Sequence, residues 1–253
     1  MADAGRRNQD QGGPSSVERA LLVLESCAKN GSVTSISEIT RDTGIPKSSV
    51  HRLCWNLTRL GALTASENGF TIGVRILAFG GSNPWLRFLR TAAAPVLHGI
   101  AAETGLVSNL AILAGNEAMI VDEIFTSQHG VPKEVGRQLP VHASAIGKAL
   151  LMGRPRTEVE RILGAQDLSS VTASTLTDRD PLWEQLQQAT ERGFVVSLGE
   201  WRVGRFGVAA PITSNGRTVA SVGLIGLSAT PPAEGIGASI RLAASEISAR
   251  LVS

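Results

Sequence analysis

Residues 35–61 read SISEITRDTGIPKSSVHRLCWNLTRLG, and this stretch decides the fold of the amino-terminal part of the chain. Ser35 and Glu38 have the spacing of a capping box, which predicts the start of a short helix. Gly44 can supply the positive φ of a sharp turn, and Pro46 stands where a second helix begins. The pattern therefore predicts a helix-turn-helix.

The predicted second helix has two chemically different faces. Apolar residues recur at helical spacing on one face, and they are Val50, Leu53, Cys54, Leu57 and Leu60. The opposite face and the first turn carry hydroxyl, basic and other polar groups, and they include Lys47, Ser48, Ser49, His51, Arg52, Trp55, Asn56 and Arg59. One face should pack into a core, while the other is left to solvent or a partner.

These polar side chains suit double-stranded DNA. A helix fits the major groove, where Arg52 can pair with guanine through two hydrogen bonds. Basic side chains nearby would neutralise phosphates, which positions a protein without reading sequence. The candidate DNA-contacting residues are Arg41, Lys47, Ser48, Ser49, His51, Arg52 and Arg59. For these two helices taken alone, the alternative remains an ordinary helical pair whose polar face is solvated and binds nothing.

Two flanking elements complete a winged helix-turn-helix. Ser15 and Glu18 repeat the capping-box spacing and begin a first helix, which Gly31 closes. Its predicted apolar stripe consists of Val17, Ala20, Leu21, Leu24, Cys27 and Ala28. Residues 62–74 change to an alternating pattern around Glu67-Asn68-Gly69, in which Asn-Gly is a turn signal, and this predicts a hairpin. Small domains of this layout mostly bind DNA, and contact with another protein is the minority use.

Composition and charge narrow the class of protein. The chain has 253 residues, 43% of them hydrophobic, and a formal net charge of only +2, so any basic surface must be local. Cys27 and Cys54 both lie on apolar helical faces and are predicted to be buried thiols. No apolar run reaches the length of a membrane span and no signal-peptide core is present, so the expected compartment is the cytoplasm.

The sequence divides into a tail, a first domain, a connecting helix and a larger second domain. The predicted segments are a disordered tail at 1–14, the winged helix-turn-helix at 15–80, a linker helix at 81–94 and a second domain at 95–253. The linker helix is expected to continue to about Thr104, with an interruption at Pro95. We also consider it a candidate dimer contact.

The second domain mixes strands with helices. Strand patterns surround Gly115-Asn116 and recur in residues 194–201, 207–213 and 218–227. Helices are predicted at 144–152, 155–163 and roughly 180–192, and a closing amphipathic helix at 233–251. This order predicts an α+β fold in which helices pack against an antiparallel sheet.

Four separated motifs resemble the IclR family of bacterial transcriptional regulators. They are residues 16–25 (SVERALLVLE), 43–53 (TGIPKSSVHRL), 139–150 (LPVHASAIGKAL), and 192–194 (RGF) with 208–212 (VAAPI). The resemblance implies a winged helix-turn-helix, a linker helix and a carboxy-terminal, GAF-like effector-binding domain. It also implies a homodimer or homotetramer that binds an inverted-repeat operator and responds to a small molecule, often an organic or aromatic acid.

The resemblance also implies where the effector binds. The candidate effector-binding residues are Ala145, Ile146, Ser197, Leu198, Glu200 and Gly207. Ser197 stands where the family has an acid, Ile146 is bulkier than the usual small residue, and Gly207 is smaller than the usual thiol. We therefore expect a less charged pocket and a ligand with more apolar surface than a small keto acid, such as an aromatic compound. In the alternative, Ile146 and Leu198 fill the pocket and the regulator has no effector.

An enzyme is the competing class. His142 and Ser144 lie close in sequence, but no Gly-x-Ser-x-Gly motif is present, and helix capping explains Ser144 better. The histidines lack the spacing of metal ligands, and a metal site would need a fold that brings His98 and His142 together. We predict no catalytic residue, metal or cofactor.

Overall fold

The computed structural model describes residues 13–29, 33–125, 134–227 and 235–252, and the chain forms two compact units, Met1–Asn83 and Pro84–Ser253. Most of the predicted disordered tail at 1–14 lies outside the described residues. Gly31, the predicted end of the first helix, and Ala233, the predicted start of the last one, also lie outside them.

The first unit is a winged helix-turn-helix, as predicted. Its elements are α1 Ser16–Lys29, α2 Ile36–Thr43, α3 Lys47–Arg59, β1 Leu63–Ser66, β2 Gly69–Ile72 and α4 Val74–Gly81. The helices and the hairpin share one core, which includes Val23, Cys27, Ile39, Ile45, Val50, Cys54, Leu57, Leu63 and Phe70. Both cysteines are free and buried, and burial raises the pKa of Cys27 to about 11 and that of Cys54 to about 12.

Both predicted capping boxes are present. The backbone N–H of Glu38 donates to Ser35 Oγ at 3.3 Å, and the Ser35 N–H donates to Glu38 Oε2 at 2.8 Å. Ser15 and Glu18 make the same reciprocal pair at 3.2 and 2.6 Å. Gly44 ends α2 with a φ of 68°, the left-handed conformation that the sharp turn requires. The start and end of the first helix of the motif are therefore set by local sequence.

Two apolar stripes were predicted partly wrongly. On α1, Val17 and Leu21 are 68% and 53% exposed, and the buried residues are Val23, Ser26 and Cys27. Leu60, which follows α3 as its cap, is 50% exposed. Helical periodicity identifies a helix, but it leaves the exact side that faces the core open by one or two residues.

The predicted hairpin is present, but the Asn-Gly signal within Glu67-Asn68-Gly69 does not form its central turn. Ser66 pairs with Gly69, so the two-residue loop is Glu67-Asn68, and Gly69 begins β2 with a φ of 150°. A Cβ at Gly69 would lie 2.2 Å from the carbonyl oxygen of Thr34, which pairs with the wing through Phe70. Glycine is therefore required here for a close backbone approach.

Replacing Gly69 with alanine should lower the free energy of unfolding by about 1–3 kcal/mol, because the added Cβ forces two backbone segments apart. Gly80→Ala is the matched control, since Gly80 lies within α4 and a Cβ there meets no atom within 4 Å. We expect the control to be neutral or stabilising by up to about 1 kcal/mol. Denaturant unfolding of the full chain measures both, and equal stabilities would contradict the close approach at Gly69.

The second unit is built on one antiparallel sheet. Its strands are β3 Val107–Ala114, β4 Glu117–Ile124, β5 Gln138–Pro140, β6 Val195–Leu198, β7 Arg205–Ser214 and β8 Arg217–Leu227, in the order β5-β4-β3-β8-β7-β6. Its helices are α5 Pro84–Thr104, α6 Ala145–Leu151, α7 Arg156–Leu163, α8 Arg179–Arg192 and α9 Gly235–Arg250. The predicted α+β class is confirmed, and β5 is a strand that the sequence did not predict. The GAF-like assignment stays a prediction.

The sheet is covered on both faces. Helices α5 and α9 pack on one face, in a core that includes Leu97, Ile100, Leu110, Val208, Val222, Ile240 and Ile247. Helices α6, α7 and α8 share the second core, which includes Ile120, Ile146, Leu150, Val159, Leu186 and Ala209. Successive residues of a strand point to opposite faces, so Val208 and Ala209 belong to different cores.

Helix α5 is continuous through Pro95, which lies inside it without ending it. Leu89 and Ala93 precede this proline and are buried in the same core as Leu97. The predicted boundary between the linker helix at 81–94 and the effector-binding domain at 95–253 therefore falls within one helix. A linking role for residues 81–94 stays a prediction.

Candidate functional site

Helix α3 presents the predicted DNA-contacting face to solvent. Its inner side is anchored by Val50, Cys54 and Leu57, which are buried in the core of the first unit. The exposed residues of the candidate set are Lys47, Ser48, His51, Arg52 and Arg59 on α3 and Arg41 on α2, and Ser49 is half-buried. Apart from the half-buried Ser49, the predicted residues are therefore accessible to a partner, and Arg41 lies in the last turn of α2.

Most of these side chains have no internal partner in the described part of the chain. There, the side chains of Lys47, Ser48, Arg52 and Arg59 make no hydrogen bond or ion pair, while Arg41 has a long contact of 3.7 Å with Asp42. A DNA phosphate or base edge could therefore be contacted without first breaking an internal ion pair. This geometry suits phosphate neutralisation and groove contact.

Trp55, an aromatic residue on the same helix, makes two contacts that the sequence analysis did not predict. Trp55 Nε1 donates to His51 Nε2 at 3.1 Å, one helical turn away. The Trp55 ring also packs edge-on against Phe70 of β2, with centroids 5.9 Å apart and an interplanar angle of 89°. The i, i+4 spacing of His51 and Trp55 could have predicted their contact from the sequence, but the contact with Phe70 depends on the folded wing.

A cavity in the second unit is the other candidate site. Its cavity volume is about 50 Å³, and the space between the lining atoms reaches about 480 Å³ only when the opening to solvent is included. Five of the six predicted effector residues line it, namely Ala145, Ile146, Ser197, Glu200 and Gly207. Sequence reasoning missed several other lining residues, among them Asn109, Trp201, Arg202, Arg205 and Phe206.

Leu198 does not line this cavity, contrary to the prediction. It is 38% exposed, whereas its neighbour Ser197 is buried and donates a hydrogen bond to the Ala143 carbonyl at 3.2 Å. Adjacent residues of strand β6 point to opposite faces, so both cannot face the cavity. Of the two side chains predicted to fill the pocket, only Ile146 is therefore in place to do so.

Gly207 allows close packing of a helix on the sheet beside the cavity that it lines. A Cβ there would lie 2.9 Å from the Ala145 Cβ, so the missing side chain lets α6 approach β7. Gly223 on β8 has a similar role, since its Cβ would lie 2.5 Å from both Asn109 Oδ1 and Ile146 Cγ2. The two glycines bring the helix and the sheet together around the cavity.

Two polar groups on the cavity wall are buried without a protein partner among the residues described. They are the amide of Asn109, at both Nδ2 and Oδ1, and the indole Nε1 of Trp201. An unsatisfied buried polar group costs about 1–3 kcal/mol, so such groups are normally paired with protein, water or ligand. Together they carry three N–H donors, on two nitrogens, and one acceptor oxygen that a bound molecule could pair with.

The charged wall of the cavity has an excess of arginine. Glu134 is buried and accepts from Arg137 at 2.8 Å and from Arg202 at 3.0 Å. In the described part of the chain Arg205 has no ion pair within 4 Å, and burial together with the nearby Arg202 lowers the pKa of its guanidinium. One carboxylate is thus shared by two arginines, and Arg205 remains available to an anion.

The predicted pocket acid, Glu200, is already paired. Both of its carboxylate oxygens lie 2.6 Å from Lys148 Nζ, which also donates to Gln185 Oε1 at 2.6 Å. Lys148 is completely buried, and this burial lowers its pKa despite the opposing effect of the Glu200 carboxylate. Because Lys148 balances its charge, Glu200 opposes an anionic ligand only weakly.

The residues considered for catalysis and metal binding have structural partners. Ser144 caps α6 by accepting from the Gly147 N–H at 3.2 Å, as predicted. His142 Nε2 lies 3.0 Å from the Ser169 carbonyl oxygen, and His98 Nδ1 lies 2.8 Å from that of Ala94. No cluster of three metal-ligating side chains, and no helix able to span a membrane, occurs in the ranges that the structure describes.

A winged helix-turn-helix with an exposed basic face, followed by a cavity-bearing second unit, defines a DNA-binding transcriptional regulator. The sequence-family model for the IclR helix-turn-helix domain matches residues 16–67. The sequence-family model for the bacterial transcriptional regulator IclR C-terminal domain matches residues 87–249. The chain belongs to the IclR family of bacterial transcriptional regulators.

Curated relatives extend over most of the chain. It is 30% identical to the HTH-type transcriptional regulator KipR of Bacillus subtilis, over 81% of this chain and 82% of that protein. It is also 30% identical to the HTH-type transcriptional repressor AllR of Escherichia coli, over 85% of this chain and 81% of the relative. These relatives are named as regulators of transcription and not as enzymes.

Solved structures share the fold along almost the whole chain. An IclR homologue from Microbacterium hydrocarbonoxydans, complexed with 4-hydroxybenzoate, has a TM-score of 0.78 and 26% identity, covering 94% of this chain and 99% of that one. An IclR regulator from Alicyclobacillus acidocaldarius has a TM-score of 0.80 and 23% identity, covering 93% of this chain and 98% of that one. The second likeness concerns the fold alone.

Proposed function

We propose that the chain binds an inverted-repeat operator as a homodimer or homotetramer, and that a small molecule in the cavity changes its operator affinity. Helix α3 enters the major groove, with Arg52, Ser48 and Ser49 at base edges. The residues assigned to phosphates are Arg41, Lys47 and Arg59. The observation that carries this proposal is the solvated polar face of α3, where Lys47, Ser48, Arg52 and Arg59 have no partner among the described residues. Because its target is the chromosome, we place the protein in the cytoplasm.

We propose that the ligand is a largely apolar organic anion, such as an aromatic acid. Arg205 favours a carboxylate, Asn109 and Trp201 favour hydrogen bonds to a second polar group, and Ile146 and Phe206 supply apolar contact. 4-Hydroxybenzoate, bound by the relative from Microbacterium, combines a carboxylate, a ring and a hydroxyl group. The alternative is a self-filled regulator, whose own side chains occupy the pocket so that no effector binds. It rests on Ile146 alone, since Leu198 lies outside the cavity.

The proposal is tested by fluorescence anisotropy with DNA from the protein's own upstream region and with random DNA. Binding should be stronger to the upstream DNA, weaken steeply with salt, and change when 4-hydroxybenzoate is added. By linkage, the operator must change the affinity for the ligand by the same factor. Absence of salt-dependent binding would favour a protein-interaction module, and binding insensitive to organic acids would favour the self-filled regulator.

Asn109→Leu is expected to weaken 4-hydroxybenzoate binding about five- to fifteenfold without destabilising the ligand-free chain, because the amide has no partner to lose. Ser197→Ala should show the reverse pattern, since its hydroxyl is already bonded to Ala143. Calorimetric titration and thermal unfolding measure the two effects. A folded Asn109→Leu chain that binds the ligand as tightly as wild type would contradict the role of Asn109, and no binding by wild type would contradict the ligand class.

A further inference from the structure

The hydrogen bond between Trp55 and His51 determines where the proton of the histidine ring lies. An indole Nε1 can only donate, and it lies 3.1 Å from His51 Nε2. His51 Nε2 is therefore the acceptor, and the proton of the neutral imidazole is on Nδ1. Both side chains stand on the solvent face of α3, one turn apart. The ring that α3 presents thus has a defined tautomer.

Trp55 is itself held in place by the wing. Its ring meets Phe70 edge-on, at 5.9 Å and 89°, and Phe70 is a buried residue of β2. The backbone of Phe70 in turn exchanges two hydrogen bonds of 2.9 Å with Thr34, just before α2. An aromatic side chain with few torsions and two directional contacts needs little further ordering when a partner binds. The indole N–H is therefore aimed at His51 before DNA arrives.

We infer that Trp55 is a positioning residue for His51, and that His51 contacts DNA as a hydrogen-bond donor through Nδ1–H. The inference rests on the proposed DNA-binding role of α3. His51 is exposed, and its Nδ1 has no hydrogen-bond partner in the part of the chain that the structure describes. A free histidine can present either a donor or an acceptor at this nitrogen, whereas the Trp55 contact leaves only the donor.

A donor at this position has a consequence for specificity. In the major groove, guanine presents N7 and O6, adenine N7 and thymine O4 as acceptors, while cytosine presents the N4 amino donor. His51 therefore disfavours a base pair whose cytosine edge faces it. His51 would therefore recognise a base pair in addition to the one that Arg52 contacts. The Arg52 guanidinium also donates hydrogen bonds, and the preference at the base pair that it contacts does not depend on His51.

The first test is spectroscopic and needs no DNA. The full chain is labelled with ¹⁵N-histidine and its ring nitrogens are observed at a pH where the imidazole is neutral, with His51→Gln used for assignment. The wild-type ring should show protonated Nδ1 and unprotonated Nε2. Trp55→Phe keeps an aromatic ring next to Phe70 but has no N–H, so the His51 ring should become a mixture of both tautomers.

The second test measures base preference. DNA is selected from a random pool with the wild-type full chain, and affinities are then measured for the selected site and for single-base variants of it. Trp55→Phe should bind the selected site about three- to tenfold more weakly and lose discrimination at one base pair, while its affinity for random DNA is unchanged. His51→Asn, whose amide N–H lies near the position of Nδ1, should keep the preference. His51→Gln, which reaches the position of Nε2, should lose it.

Two outcomes overturn the inference and leave DNA binding intact: protonated Nε2 in the free wild-type chain, or an unchanged base preference in Trp55→Phe. Selection of no sequence by the wild-type chain would instead contradict the proposed function, and the inference with it. Unchanged random-DNA binding by Trp55→Phe shows that the variant is folded, so a loss confined to the selected site supports the positioning role.

Discussion

Replacement of Lys148 by methionine is expected to lower the free energy of unfolding by about 3–5 kcal/mol. Lys148 is completely buried, and its Nζ lies 2.6 Å from both carboxylate oxygens of Glu200. Methionine fills a similar volume without a charge, so the buried Glu200 carboxylate would lose its cation. The expected cost is that of an uncompensated charge in a water-poor environment. Equilibrium denaturation of the full chain measures it.

Two further variants separate charge from packing. Lys148→Met combined with Glu200→Leu should regain most of the lost stability, because removing both charges also removes their desolvation penalty. Arg90→Met is a matched surface control, since Arg90 lies 3.2 Å from Asp122 but is half exposed, and it should cost less than about 1 kcal/mol. A loss at Lys148 no larger than that at Arg90 would contradict the structural importance of the buried pair.

The same ion pair affects the ligand that the cavity can accept. Lys148 lies on α6, its partner Gln185 on α8 and its partner Glu200 in the loop after β6. Lys148 and these two partners therefore connect three segments beside the cavity. Glu200 is balanced by Lys148, whereas Arg137, Arg202 and Arg205 share the nearby carboxylates Glu134 and Glu123, so this part of the wall keeps an excess of positive charge. An anionic ligand follows from this balance more directly than from the apolar lining.

Features with a local cause could be predicted from the sequence. The capping boxes at Ser35 and Ser15 depend on residues three positions apart, and the structure has both. The Asn215-Gly216 dipeptide forms the turn between β7 and β8, as an Asn-Gly dipeptide favours, with φ values of 50° and 73°. Such signals need only neighbouring residues, so one sequence is enough to recognise them.

The same dipeptide shows where local reasoning fails. Asn68-Gly69 resembles Asn215-Gly216 in sequence, yet its glycine stands in a strand with a φ of 150°. The difference comes from Thr34, whose carbonyl oxygen occupies the space that a Cβ of residue 69 would need. A contact between segments 35 residues apart therefore overrides the preference of the dipeptide, and the sequence of the turn does not contain it.

The cavity could be predicted only in part, for the same reason. Motif resemblance located Ala145, Ile146 and Ser197, which lie on segments that the family model also covers. Asn109 and Arg205 come from strands β3 and β7, and nothing in their local sequence marks them as cavity residues. Among the described residues, Asn109 has no hydrogen-bond partner and Arg205 has no ion pair within 4 Å, and both facts are visible only once burial and distances are known.

Arg52→Ala is expected to weaken binding to the selected operator roughly 5- to 150-fold, or about 1–3 kcal/mol, and to relax the preference at one base pair. Arg52 is exposed on α3, its guanidinium has no partner in the ranges described, and it can form two parallel hydrogen bonds to guanine. The effect should be small on random DNA, because a base contact contributes little where the base is wrong. Anisotropy titrations on both kinds of DNA measure it.

Lys47→Ala is the informative contrast to Arg52→Ala. Lys47 is the first residue of α3 and is assigned to a phosphate, so its loss should weaken binding to all sequences alike and reduce the salt dependence by about one counterion. Arg161→Ala, an exposed charge on α7 of the other unit, should change neither quantity. If Arg52→Ala lost affinity equally for operator and random DNA, its guanidinium would be a phosphate contact, and base reading would have to come from Ser48, Ser49 and His51.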